Sequence, residues 1–194
     1  MFIGITALCV SAYLLGSINT ALVVAASRGV DIRAVGSGNP GASNVLRSLG
    51  KGPALLVTVA DLLKGLLPAL VGLLLWTPAT AALAGFCAVA GHCYPVFHRF
   101  RGGKGVATAG GVALALSPPV MVAMVLMYGI GLAATRISAV GSLAAVVTSV
   151  PAFIIAGLET GAVVWFGATM LLIVLRHRSN LSRLRAGTER KLTP

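Results

Sequence analysis

The amino-acid sequence predicts an all-α integral membrane protein that crosses the bilayer as a bundle of seven transmembrane helices. Of its 194 residues, 57% are hydrophobic and only 10% are charged, far from the composition of a water-soluble domain. The hydrophobic residues form long uncharged runs, and about 20 such residues in a helix span the hydrocarbon core. The placement of the basic residues between these runs is the third observation, and it also predicts an orientation.

The uncharged runs, taken in chain order, predict helices at residues 2–27, 53–75, 79–97, 106–117, 119–134, 139–157 and 161–175. The first run has no small-residue processing site behind a charged region, so we expect a retained span rather than a cleaved signal. The fourth run is short for a crossing and ends at Ser117, Pro118 and Pro119, a helix-breaking combination. An alternative interpretation joins 106–134 into one kinked span.

The basic residues predict which side of the membrane each loop occupies. All fifteen Lys and Arg residues except Lys64 fall in alternate loops or in the tail, and the intervening turns contain none. The positive-inside rule therefore predicts cytoplasmic loops at 28–52 and 98–105, a cytoplasmic tail at 177–194 and an external N-terminus. With 106–134 as one span, Arg136 and the tail would move outside. Because the chain shows no repeat or long linker, we expect one membrane-embedded domain, 1–194.

The first polar segment, residues 36–47, has a composition suited to phosphate. Its glycines allow backbone N–H groups to approach an anion closely, and a helix beginning near Ala42 would point its positive end at the same place. Arg47 adds a planar fork of donors. The candidate binding residues here are Gly36, Ser37, Gly38, Asn39, Gly41, Ser43, Asn44 and Arg47. The alternative is an ordinary flexible loop with helix-capping Ser and Asn.

The second polar segment places Lys104 among Gly102, Gly103 and Gly105, just before a predicted helix that contains Thr108. This arrangement also favours phosphate binding. It is not a Walker A loop, because His98 stands where that motif needs its first glycine and no strand precedes it. The alternative is a basic cytoplasmic loop whose glycines serve tight helix packing.

The third polar segment, residues 176–189, directly follows the last predicted span. As a helix it would place His177 and Asn180 close together at i and i+3, with Leu181 and Leu184 facing the membrane surface. A basic interfacial helix held by anionic lipids explains the arginines equally well. It does not explain His177 and Asn180, because neither adds much membrane affinity.

A few polar residues lie inside the apolar runs. Asp61 and Lys64, at i and i+3, predict a structural ion pair near the cytoplasmic end, with a proton or ion relay as the alternative. Ser138 and Ser142 flank the start of the sixth helix and could orient a ligand or cap the helix.

The composition also argues against several classes of protein. The chain has only four acidic residues and three cysteines in apolar runs, so we expect neither a metal site nor a cofactor. The net charge of +11 does not indicate nucleic-acid binding, because the basic residues lie in short loops without interleaved aromatics.

Six strings together resemble the bacterial acyl-phosphate:glycerol-3-phosphate acyltransferases, the PlsY family, and the resemblance extends over most of the chain. The matching strings are LLGSI at 14–18, VGSGN at 35–39 continuing to Arg47, DLLKG at 61–65, GHCYPVF at 91–97, GGKGVAT at 102–108, and HRSNLSRL at 177–184 followed by GTE at 187–189.

The resemblance implies transfer of a fatty acyl group from acyl phosphate to the sn-1 hydroxyl of glycerol 3-phosphate, the step that begins bacterial phospholipid synthesis. It implies that Ser37 and Arg47 hold acyl phosphate and that Lys104 with its glycines engages glycerol 3-phosphate. His177 and Asn180 would complete the site, and Glu189 would support the tail structurally. The family is seven-span with an external N-terminus, which agrees with the charge pattern.

The implied location is the bacterial inner membrane, with the active site on the cytoplasmic face. The expected partners are the two substrates, membrane lipids and the enzyme that supplies acyl phosphate. We hypothesise direct attack without an acyl-enzyme, since the mixed anhydride already has a good leaving group. The alternatives from other classes are a transporter of a phosphorylated solute, which would need polar residues at the bilayer midplane and repeated halves, and a non-catalytic lipid-binding scaffold.

Overall fold

The computed structural model describes residues 1–192, which form ten α-helices and one turn of 3-10 helix at Val96–His98. The α-helices are α1 (Phe2–Ser17), α2 (Thr20–Ala26), α3 (Ala42–Leu49), α4 (Lys51–Leu75), α5 (Pro78–Cys93), α6 (Val106–Leu116), α7 (Pro118–Thr135), α8 (Ser138–Ile155), α9 (Thr160–Arg176) and α10 (Arg178–Arg185).

Several stretches of the described chain are long and apolar enough to cross a membrane. Five stretches qualify: Phe2–Ala26, Lys51–Leu75, Pro78–His98, Pro118–Thr135 and Ser138–Ile155. Helices α9 and α10, bent by 53° relative to each other, add a sixth if they are counted as one broken span. The prediction of an all-α membrane protein with several spans is confirmed, whereas the number seven and the orientation stay predictions.

The first predicted helix is interrupted, and this corrects the single helix expected at 2–27. Ile18 is extended, and the side chain of Asn19 caps α2 by accepting a hydrogen bond from the Leu22 N–H at 3.1 Å. The Ile18 carbonyl accepts a hydrogen bond from Lys64 Nζ at 2.5 Å. The break is therefore stabilised by polar groups on both sides.

Two short helices flank the spans on the side of the polar loops. Helix α3 begins at Ala42, as predicted, and ends at Leu49, before the capping residue Gly50, which adopts a φ of 87°. Helix α5 ends at Cys93, four residues earlier than expected, because Pro95 disfavours helical backbone in the residue before it. Helix α10 forms the tail helix that the sequence allowed.

Small residues let the central helices approach closely. A Cβ added to Gly65 of α4 would lie 1.9 Å from the Thr108 carbonyl, and one added to Gly111 of α6 would lie 2.0 Å from the Leu62 carbonyl. The backbones of α4 and α6 are therefore in direct contact, as small residues permit in membrane proteins. This contact fixes one face of the short helix α6.

Aromatic side chains pack elsewhere in the core, between α8 and α9. The rings of Phe153 and Phe166 pack edge to face with centroids 4.6 Å apart.

We expect Gly111→Ala to lower the free energy of unfolding by about 1–3 kcal/mol, because its methyl group would collide with the backbone of α4. Gly129→Ala is the matched control, since Gly129 lies in α7 and a Cβ there meets nothing within 4 Å. Thermal unfolding of both variants in detergent would measure the difference. Equal unfolding temperatures would show that the α4–α6 contact does not need a glycine.

Candidate functional site

A cavity of about 360 Å³ opens where the polar loops meet the ends of the helices. Most of the residues that the sequence predicts for a binding site line this cavity. They are Ser37, Asn39, Gly41, Ser43, Asn44, Arg47, Lys104, Gly105, Ser142, His177 and Asn180, together with Asp61 and Glu189. Those expected there that do not line it are Gly36, Gly38, Gly102, Gly103 and Thr108. Segments from three distant parts of the chain thus converge on one cavity.

The first polar loop is shaped by the side chain of Asn44. Its Oδ1 accepts a hydrogen bond from the Ser37 N–H at 2.8 Å, and its Nδ2 donates to the Ile32 and Val35 carbonyls at 3.0 Å each. Gly36 adopts a φ of 59°, and a Cβ there would lie 2.1 Å from Asn44 Oδ1. Asn44 therefore holds the loop backbone, which places Ser37 at the cavity wall.

The glycines before Lys104 have their backbone groups engaged within the protein. The N–H groups of Gly102 and Gly103 donate to the carbonyls of Cys93 and His92 at 3.2 and 3.1 Å. Their carbonyls accept hydrogen bonds from Arg176 Nη2 at 3.0 Å and Nε at 3.2 Å. In this structure the two glycines fix the position of Lys104, and their predicted binding of substrate stays a prediction.

Two helix N-termini point into the cavity. Gly41, the N-cap of α3, and Gly105, the N-cap of α6, both line it, and neither helix has a side-chain cap. Gly105 adopts a φ of 82°, which favours glycine. The first N–H groups of a helix carry partial positive charge and bind anions. The cavity is thus suited to a phosphate even before its charged side chains are considered.

Two cations strengthen that preference. Burial lowers the pKa of Lys104 from its ordinary 10.5 to about 8, an effect opposed by Glu189 and reinforced by Arg183, Arg47 and Arg176. Arg47 donates from Nη2 to the Arg190 carbonyl at 3.2 Å, while its buried Nε has no hydrogen-bond partner within the protein. Both side chains therefore retain donors for a ligand.

His177, Asn180 and Glu189 form a connected group on one wall. His177 is 1% exposed, and its Nδ1 lies 2.8 Å from the Ile173 carbonyl, so Nδ1 carries a proton and Nε2 is left for other partners. Asn180 Nδ2 donates to Glu189 Oε1 at 2.9 Å, while the buried Asn180 Oδ1 has no partner. Arg183 Nε donates to Glu189 Oε2 at 2.7 Å. Glu189, expected to be structural, orients Asn180 and also lines the cavity.

The chain beyond α10 folds back over the first loop. Arg190 Nη1 donates a hydrogen bond to the Gly36 carbonyl, and the Leu192 N–H donates to the Arg136 carbonyl at 2.6 Å. Together with the contact from Arg47, these bonds join the end of the described chain to two other loops at the cavity rim.

One part of the wall combines Ser138, which the sequence indicated as a possible ligand-orienting or capping residue, with residues that gave no sequence signal. Ser138 Oγ lies 2.8 Å from Ser43 Oγ and 3.1 Å from the Tyr128 hydroxyl, which links α8 to α3 and α7. Tyr128 gave no signal, since a tyrosine in an apolar run is ordinary. The apolar part of the wall, which includes Met121 and Met124, could not be predicted from the sequence either, because such residues are normal in any membrane helix.

The predicted ion pair is present at the inner end of the cavity. Lys64 Nζ lies 2.6 Å from Asp61 Oδ1 and also donates to Thr20 Oγ1 at 2.6 Å. His92 Nδ1 lies 3.7 Å from the same carboxylate oxygen. Both charged side chains are buried and surrounded by polar partners, which fits a structural role better than a relay. Within residues 1–192, no group of three His, Cys, Asp or Glu side chains could hold a metal ion.

Comparison with known proteins identifies the family. The family model described as glycerol-3-phosphate acyltransferase matches residues 6–187. The glycerol-3-phosphate acyltransferase of Rubrobacter xylanophilus is 43% identical over 183 residues, which cover 92% of this chain and 90% of that protein. The corresponding protein of Thermus thermophilus is 46% identical over 189 residues, which cover 93% and 92%.

Two solved structures have the same fold. Both are of PlsY, an integral membrane glycerol 3-phosphate acyltransferase, in its glycerol 3-phosphate form (TM-score 0.95, 39% identity) and in its lysophosphatidic acid form (TM-score 0.93, 38% identity). Each match covers 98% of this chain and 96% of the other. The predicted family and the predicted acyltransferase activity are confirmed. The chain belongs to the glycerol-3-phosphate acyltransferase family.

Proposed function

We propose that the protein transfers a fatty acyl group from acyl phosphate to the sn-1 hydroxyl of glycerol 3-phosphate at the cytoplasmic face of a bacterial inner membrane. The products are lysophosphatidic acid and inorganic phosphate. Family membership supports the acceptor and the type of reaction, while the donor and the face rest on the resemblance of motifs and on the charge pattern.

One observation carries the proposal: a single cavity joins a cationic polar end to an apolar wall. Lys104 and Arg47 lie at the polar end with two helix N-termini, and Met121, Met124 and Val125 lie on the apolar side. An acyl phosphate has a charged head and a long apolar tail, so it matches both halves at once. The reacting carbonyl would then lie at the boundary between them.

The site favours a direct displacement. The sn-1 oxygen forms a bond to the acyl carbon, the bond from that carbon to the phosphate oxygen breaks, and a phosphate oxygen takes the hydroxyl proton. Lys104, Arg47 and the helix N-termini stabilise the negative charge that develops on the carbonyl and leaving oxygens. His177 Nε2 and Asn180 Oδ1 are positioned to orient a hydroxyl group. Isolation of a covalent acyl-Ser37 intermediate would contradict this route.

We further propose that α6 completes a seven-span topology. Its 11 residues rise about 16 Å, roughly half of the hydrocarbon core, and α7 follows it immediately at Pro118. This topology places the turn at Ser117 outside and every polar loop inside. A cysteine placed at the exposed Pro118, next to that turn, in a variant without native cysteines should react with a membrane-impermeant reagent added from outside. Reaction only after the membrane is opened would exclude this topology.

The function is tested by giving the purified protein palmitoyl phosphate and glycerol 3-phosphate, with palmitoyl-CoA as the competing donor. Inorganic phosphate and lysophosphatidic acid should appear together, and only with the acyl phosphate. If lysophosphatidic acid formed with palmitoyl-CoA and not with palmitoyl phosphate, the donor would be an acyl-CoA and the proposed donor would be wrong. Absence of product from folded protein, together with exchange of glycerol 3-phosphate across vesicles, would favour the transporter that the sequence left as the alternative.

We expect the kcat/KM for glycerol 3-phosphate to fall above about pH 8. Burial lowers the pKa of Lys104 to about 8, so the ammonium loses its proton in this range and its attraction for phosphate disappears. Lys104→Arg should move the alkaline limb to higher pH, since a guanidinium stays charged. Initial rates between pH 7 and pH 10 would measure the limb. If kcat/KM fell at the same pH in Lys104→Arg as in the unaltered protein, the fall would belong to the titration of another group.

A further inference from the structure

A second cavity of about 460 Å³ adjoins the first on the side of the polar loops. Ser37, Asn39, Lys104 and Asn180 line both cavities, so these four residues form the boundary between them. The two cavities therefore meet at these four residues, among them Lys104 and Asn180.

Some of the cationic side chains that line the second cavity already have partners within the protein, and others do not. Arg176 is engaged with the carbonyls of the Lys104 loop and lies over the Tyr94 ring, 4.9 Å from its centroid. Arg183 is paired with Glu189 at 2.7 Å. Arg178, in the first turn of α10, is exposed, and within the described chain its side chain has neither a hydrogen bond nor an ion pair. Arg178 and Lys104 are thus the two cations of this cavity that are left for a ligand.

The remaining wall is mostly polar and offers little apolar surface to a lipid tail. Its apolar members are Leu175 and Tyr94, and the ring of Tyr94 is covered by Arg176. Asn180, which is 4% exposed, contributes an Oδ1 acceptor that has no partner. A buried acceptor without a partner is costly unless a ligand donates to it. Cations that can bind a phosphate therefore lie beside an amide oxygen, Asn180 Oδ1, that can accept a hydrogen bond from a hydroxyl group of the ligand. This combination fits a small phosphorylated alcohol.

We propose that the second cavity is the port for water-soluble phosphates, through which glycerol 3-phosphate enters and inorganic phosphate leaves, with Arg178 as the cation that draws them in. This inference rests on the proposed function. The acyl phosphate enters instead through the first cavity, whose wall includes Met121, Met124 and Val125. Separate entrances allow the amphiphilic donor to stay in the bilayer while the soluble acceptor and the product exchange with water.

Arg178 suits this role because it is exposed and lies at the positive end of α10. A charge at the rim of a basic cavity raises the rate of encounter with an oppositely charged ligand, and salt screens the effect. Arg178 does not line the first cavity, so it attracts the substrate without touching the reacting atoms.

The test compares Arg178→Gln with Arg185→Gln. Both residues are exposed arginines on α10, but Arg185 does not line the cavity. At low ionic strength, Arg178→Gln should lower the kcat/KM for glycerol 3-phosphate by about 3- to 10-fold and weaken product inhibition by inorganic phosphate similarly. Arg185→Gln should change either quantity less than about twofold. Added salt should narrow the difference, and Arg178→Lys should restore most of the loss, since it keeps the charge.

The donor supplies the second comparison. The kcat/KM for acyl phosphate, measured at saturating glycerol 3-phosphate, should be the same in Arg178→Gln and in the unaltered protein. The proposed port would be wrong if Arg178→Gln and Arg185→Gln lowered the kcat/KM for glycerol 3-phosphate equally. It would also be wrong if Arg178→Gln lowered only the kcat/KM for acyl phosphate. An unaltered protein that forms no lysophosphatidic acid would instead overturn the proposed function.

Discussion

Arg47→Ala is expected to lower the kcat/KM for acyl phosphate by about 10²- to 10³-fold, with little change in the unfolding temperature. The guanidinium is held by the Arg190 carbonyl at 3.2 Å, and its buried Nε has no partner, so it is prepared to meet phosphate or carbonyl oxygens. Removing one preorganised donor to developing negative charge typically costs this much. Initial rates of phosphate release at varied palmitoyl phosphate would measure the loss.

Two further variants show whether geometry or charge matters. Arg47→Lys keeps the charge and loses the planar fork, so we expect a loss between those of the alanine variant and the unaltered protein. Arg28→Ala removes an exposed arginine that is predicted to lie on the same side of the membrane and does not line the cavity. It should retain nearly full activity. A comparable loss in Arg28→Ala would mean that Arg47 acts through the overall surface charge or the topology.

Lys64→Met is expected to lower the free energy of unfolding by about 3–5 kcal/mol, the usual cost of leaving a buried charge without its partner. Lys64 Nζ donates to Asp61, Thr20 and the Ile18 carbonyl, so the variant leaves a buried carboxylate and an interrupted helix without their main donor. Unfolding of the detergent-solubilised protein, followed by heat or denaturant, would measure the loss.

The double variant Asp61→Asn with Lys64→Met separates the charge from the packing. Removing both charges takes away the unpaired carboxylate, so the double variant should be more stable than Lys64→Met alone. A double variant whose loss equals the sum of the two single losses would show that the two side chains are not coupled.

Much of the fold follows from hydrophobicity, because each long apolar run has to become a helix in lipid. Helices α4, α6, α7, α8 and α9 begin and end within two residues of their predicted limits. The break after Ser17 could not be predicted in this way. It is stabilised by Lys64, which lies 46 positions away in the sequence and donates a hydrogen bond to the Ile18 carbonyl.

The site was predictable where polar residues cluster in the sequence, and less so where contacts decide. The three polar segments supplied Arg47, Lys104 and Asn180, because charged and amide groups beside membrane spans stand out from their surroundings. The hydrogen bonds that occupy the Gly102 and Gly103 N–H groups depend on the end of α5. They became visible only in the folded chain.

The bond between Arg190 and Gly36 joins two residues that lie 154 positions apart. During synthesis, helices enter the membrane as they leave the ribosome, so α1 to α9 are already made when residue 190 emerges. A nascent chain therefore holds its first polar loop for almost the whole of translation without the residues that complete the rim. Chains released before residue 177 is added would lie in the membrane without His177 and Asn180, two residues that line the cavity.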